Sequence, residues 1–111
     1  MEESVVNELI EFSKTHDLLQ TTIKHGCICL ANWMAECPEE HSRLFSTLTP
    51  FNITFSTVSQ QLISFDCAHE TFILRTKYLL FTDDHGHSQV GWYALDVDQH
   101  GAAVDDWLIF S

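Results

Sequence analysis

The chain has 111 residues, 45% of them hydrophobic, and sixteen acidic residues against five basic ones give a formal charge of −11. That length and apolar content suffice for a single domain, residues 1–111, with a core of its own. The charge disfavours nucleic-acid phosphates and anionic membrane surfaces, and it favours a basic partner. Eight Phe, three Trp and two Tyr supply core material, which argues against a disordered acidic chain.

Met1-Glu2-Glu3 lacks the basic start and apolar run of a secretory signal, and no apolar stretch approaches bilayer-spanning length. The expectation is a cytoplasmic protein. In a reducing compartment the four cysteines, Cys27, Cys29, Cys37 and Cys67, are expected as buried small hydrophobes rather than disulfides.

Residues 1–50 read as helical. Val5, Leu9 and Phe12 recur at helical spacing over 2–14, with Val6 and Ile10 beside them. Asp17 and Gln20 have the spacing of a capping box at the start of a second helix. Its expected apolar stripe is Leu19, Ile23, Cys27, Leu30 and Met34, flanked by Trp33 and Cys37. Gly26 in that helix marks either a close helix–helix approach or a break. Pro38 with Glu39 and Glu40 opens a third, short helix that carries Leu44, Phe45 and Leu48 and ends at Thr49-Pro50.

From Phe51 the period changes to two, and residues 51–111 read as sheet. Phe51, Ile53 and Phe55 alternate with polar residues, and a second alternation covers residues 62–67. Residues 71–82 place Phe72, Leu74, Tyr78 and Leu80 on one face and Arg75 and Lys77 on the other. In residues 89–97, Val90, Trp92 and Ala94 face opposite to Tyr93, Leu95 and Val97. The turn before Gly101 leads to a last strand over about 102–110. Helices first and strands later indicate an α+β fold, with N-terminal helices packed on an antiparallel sheet of about four to five strands.

No motif fixes a chemistry. Asp83-Asp84-His85-Gly86-His87 has metal-binding residue types, but it matches no zinc or calcium loop and fits a solvated hairpin turn. Cys27 and Cys29, next to His25, lack the paired spacing of a zinc site and the Cys-x-x-Cys of a redox centre. His100 with Asp98 offers a general base, without a nucleophile motif to serve. The expectation is no catalytic residue, no metal and no cofactor.

The aspartates carry more signal. Asp83, Asp84, Asp96, Asp98, Asp105 and Asp106 all follow Lys77, and no Lys or Arg comes after that residue. The last strand also breaks alternation: Asp105 shares a face with Trp107 and Ile109, and Asp106 shares one with Val104 and Leu108, unless a bulge shifts the register. A carboxylate beside an exposed Trp suits a partner's Arg or Lys. These six aspartates, with Trp92 and Trp107, are the expected partner-binding residues.

The segment GWYALDVDQHGAAVDDWLIF, from Gly91 to Phe110, resembles the C-terminal hairpin of small bacterial immunity proteins that accompany polymorphic or contact-dependent growth inhibition toxins. The resemblance rests on an aromatic-rich strand, an Asp/Gly turn and a Val-Asp-Asp strand. It implies a non-catalytic protein that neutralises a cognate toxin domain, often a basic nuclease. Two other readings stand beside it. One is a small metal- or His/Asp-dependent enzyme built on the 83–87 turn. The other is an acidic nucleic-acid mimic or adaptor. Direct nucleic-acid or membrane binding is not expected, and an aromatic edge also suits a homodimer.

Overall fold

The computed structural model describes residues 2–37, 39, 53–82 and 88–110. Among the described residues two helices, α1 (Glu2–Thr15) and α2 (Leu18–Glu36), precede four strands, β1 (Ile53–Asp66), β2 (Thr71–Thr82), β3 (Ser88–Val97) and β4 (Ala103–Phe110). The strands form one antiparallel meander in the order β1-β2-β3-β4, so the α+β reading holds with four strands. The expected third helix over 38–50 lies outside the described residues, apart from Glu39. Among the described residues no helix is long and apolar enough to cross a membrane.

Alternation builds the sheet. Leu74, Tyr78 and Leu80 of β2 lie on the face that carries Tyr93, Leu95 and Val97 of β3. These side chains form the core with Ile53 of β1 and Leu18 and Leu30 of α2, and Leu9, Phe12 and Phe55 pack against it. One polar link ties α1 to the sheet across this layer. The Gln60 amide donates to Ser13 Oγ at 2.9 Å and to Thr76 Oγ1 at 3.1 Å, so two buried hydroxyls are satisfied.

Residues 53–66 make one strand rather than two separate runs. Its pairing with β2 slips twice, between Ser56 and Ser59 and between Leu62 and Ser64, and Thr57 takes a left-handed φ of 51°. Two bulges in a polar stretch explain why it reads as an interruption.

The α1–α2 junction also differs from expectation. Asp17 sits in the left-handed region (φ 50°, ψ 47°), and its side chain makes no capping bond. It acts through its backbone instead. Its N–H donates to Lys14 O at 3.1 Å and its carbonyl accepts from Thr21 N at 2.9 Å, so it ends one helix and begins the next. Asp is among the few residues that adopt this conformation at low cost.

The buried stripe of α2 is Leu18, Thr22, Gly26 and Leu30, one position before the expected Leu19, Ile23 and Cys27. Leu19 is half-exposed and Cys27 is exposed. Thr22 is tolerated inside because its hydroxyl donates to Leu18 O at 2.7 Å. Gly26 marks neither a helix pair nor a break. It is where the helix meets the sheet, and a Cβ there would stand 2.5 Å from the Phe55 ring and 3.0 Å from the Tyr93 ring. The cysteines are free thiols, and they are not the buried hydrophobes expected. Cys27 and Cys67 are exposed, and Cys29 and Cys37 are half-buried.

Gly91 makes the closest approach within the sheet. It pairs with Phe110, and a Cβ on it would lie 2.0 Å from the Ile109 carbonyl oxygen. Backbone cannot step aside as a side chain can. Gly91→Ala is therefore expected to destabilise the fold by roughly 1–3 kcal/mol, as overpacking does, although Ala ordinarily suits a strand better than Gly. The denaturant midpoint measures this, and an unchanged or raised midpoint would show that β3 and β4 are not in this contact.

Candidate protein-binding surface

β3 and β4 place the expected binding residues in three different settings. The first is the sheet face opposite the helices. There Asp96 pairs across the strands with Asp105 on β4 and with Arg75 on β2. Arg75 Nε donates to Asp96 Oδ1 at 2.8 Å and its Nη2 donates to Oδ2 at 3.0 Å, in a two-pronged ion pair. Asp96 is only 5% exposed, so its carboxylate is committed internally. The Arg75 guanidinium is held above its ordinary pKa, chiefly by the hydrogen bond it donates to Asp96 and, against a burial penalty, by the charges of Asp96 and Asp105.

Aromatic rings complete this face. Arg75 Cζ lies 5.7 Å from the Trp107 ring centroid, and Lys77 Nζ lies 4.6 Å from that of Trp92. Both distances are within cation–π range. Arg75 thus meets Asp96 and feels the charge of Asp105, while Lys77 lies against Trp92. The exposed part of this face lies toward β4, where Trp107 is 40% and Ile109 42% exposed beside Asp105.

Asp106 stands on the opposite side of β4, facing α2. Its register partner is Leu95, a core residue. The conflict of an aspartate on an apolar face is resolved by Tyr93, whose ring is fully buried and whose hydroxyl donates to Asp106 Oδ2 at 2.9 Å. Burial first, then the bond to Asp106 and the charges of Asp106 and Cys29, push the Tyr93 phenol far above its usual pKa. Burial, with the Asp106 charge second, also raises the Cys29 thiol. The bulge contemplated for this strand exists, but it falls at Val104, where the register slips between Asp96–Asp105 and Val97–Ala103.

Asp98 belongs to the β3–β4 turn. Its Oδ1 accepts from the backbone N–H of His100 at 2.9 Å and of Ala102 at 3.0 Å. Gly101 follows with φ 78°, and a Cβ there would lie 2.3 Å from His16 Nδ1, so the turn is docked on the helix junction. Asp98 therefore shapes the turn. Asp83, Asp84, His85 and His87 lie outside the described residues. Among the described residues no group of three or more His, Cys, Asp or Glu is placed to hold a metal ion.

Sequence reasoning missed Arg75 as the partner of Asp96 and Tyr93 as the partner of Asp106. The first was out of reach because the β2–β3 register slips by one between Leu80 and Phe81, which sets residue 75 opposite 96. It also missed a groove between α2 and β4. A cavity of about 360 Å³ is lined by Ile28, Glu36 and Asp106 among others, and a shallower one of about 320 Å³ continues past His25 to Val104. Comparisons with protein-family models, with curated proteins and with solved structures return no match.

The two amide bonds hold the Asp98 carboxylate below its usual pKa, the His100 amide first. A folded pKa below the unfolded value means that the stabilisation is complete above the ordinary carboxylate range and is lost as pH falls through the folded pKa. Asn keeps an oxygen acceptor but does not titrate. Asp98→Asn is expected to flatten the acid side of a melting-temperature-against-pH curve, and Asp98→Ala to lower stability already at neutral pH. An unaltered acid limb in Asp98→Asn would mean that this turn does not depend on the carboxylate.

Proposed function

We propose that this chain is an immunity-type protein that binds and neutralises a cognate basic toxin domain, a nuclease, and that binding runs through the β4 side of the molecule. One observation carries the reading: on β4 a partly exposed aromatic and aliphatic pair, Trp107 and Ile109, lies beside the exposed carboxylate of Asp105 in a chain of charge −11. Trp next to a carboxylate provides the two things that a docking Arg or Lys uses, a π face and a counter-charge. The surrounding negative field speeds encounter with a basic surface and orients it. The C-terminal resemblance to immunity proteins agrees with this partner class.

Asp96 and Asp98 serve the fold, and the exposed parts of Asp105 and Trp107 are the ones expected to meet a partner. Association with a cognate basic toxin domain is expected to weaken as salt is raised. In a double variant, Asp105→Lys with Trp107→Ala, it is expected to lose about 2 kcal/mol or more, the scale of an interface hot spot, at a temperature where circular dichroism shows the variant folded. Titration calorimetry measures both. Wild-type affinity in the folded double variant would move the contact off β4, and no salt-sensitive association at all would refute the reading.

A further inference from the structure

The sheet has two outer strands, and they are not equivalent. Among the described residues β1 pairs only with β2, and β4 only with β3. An unpaired strand edge is a template for another strand, and proteins protect such edges with bulges, Pro or Lys. β1 is protected by its two register slips and its left-handed Thr57. β4 has one slip, at Val104, and one N–H held by its own side chain, that of Asp106 donating to Asp105 Oδ1 at 2.9 Å; it otherwise runs regularly from Asp105 to Phe110 against β3, with no Lys and no Pro.

The surroundings of β4 match an added strand on both sides. Toward the helices, Ile28 of α2 is 61% exposed over the groove that Glu36 and Asp106 make acidic. Toward the open face stand Trp107 and Ile109, and Val104 at the bulge is 51% exposed. A strand laid along β4 sends alternate side chains to these two sides. It covers apolar groups on both layers at once, which a partner touching only the open face does not. Two copies each carrying −11 repel one another, so the charge selects a basic strand over a second copy of this chain.

We infer that β4 is a strand-addition site: an extended segment of a basic protein partner, with Lys or Arg alternating with apolar residues, pairs with the β4 backbone and sends its cations into the α2–β4 groove toward Asp106 and Glu36. This rests on the reading that the partner is basic and adds how the partner is held. Main-chain hydrogen bonds supply the affinity, and the groove supplies the selection for charge.

The probe is a peptide of about eight residues alternating lysine and valine, compared with the same peptide methylated on every backbone amide. Binding is followed by nuclear magnetic resonance together with amide hydrogen exchange of the intact chain. The expected result is slowed exchange within residues 105–110 and a dissociation constant roughly tenfold or more weaker for the methylated peptide. Asp106→Asn and Glu36→Gln, which keep hydrogen-bonding capacity, are expected to weaken the unmethylated peptide. Equal binding of the two peptides, protection on β1 instead of β4, or self-association of the free chain through β4 would each overturn the inference. If the peptide fails while the basic toxin domain still binds in a salt-sensitive way, strand addition is wrong and the partner reading stands. If neither binds, the partner reading falls as well.

Discussion

Much of this molecule follows from one buried phenol. Tyr93 lies at the centre of the sheet under α2 with its ring sealed from water, and a sealed hydroxyl needs a partner. Asp106 on the neighbouring strand is that partner. The pairing requires α2 to come down close enough to close over the ring, which Gly26 permits, and β4 to lie tight against β3, which Gly91 permits. Two glycines and one hydrogen bond therefore fix the layer spacing and the strand register together. They also hold Asp106 at the rim of the α2–β4 groove with its second carboxylate oxygen left over for another contact.

The other face of the sheet is organised by an ion pair instead of a core. Arg75 and Asp96 form a two-pronged contact between adjacent strands, and Trp107 and Trp92 lie against Arg75 and Lys77. Opposite charges on neighbouring strands stabilise the pairing. The consequence for recognition is that the two strand cations are consumed internally. The negative charge displayed near β4 is carried by Asp105 and Asp106, at the boundary between two surfaces that each show apolar groups. A basic partner approaching this edge meets charge first and apolar area second.

The strands were readable because their alternation is strong. Residues 71–82 of β2 and the opposed faces of 89–97 emerge from period two alone, since each apolar face is filled by large side chains. The α2 stripe was misplaced by one residue because its true buried line runs through Thr22 and Gly26, which carry no hydrophobic signal and are selected by a back-bonded hydroxyl and by steric room. β1 looked like two runs because its bulges fall among Ser, Thr and Gln. The six aspartates looked like one surface. Cross-strand register divides those described among an ion pair, a turn, a buried tyrosine's partner and an exposed carboxylate that holds the next backbone N–H, and no count of charges along the chain contains that information. The groove was invisible for the same reason, since it joins α2 to a strand that lies some seventy residues on.

The proposed neutralisation of a basic nuclease toxin by one-to-one occlusion can be measured by titrating the purified chain into the reaction of a cognate nuclease domain. Activity is expected to fall linearly and vanish at one chain per toxin, and the chain is expected to protect cells that produce the domain. Full nuclease activity in the presence of excess chain, with no protection of those cells, would refute the proposal.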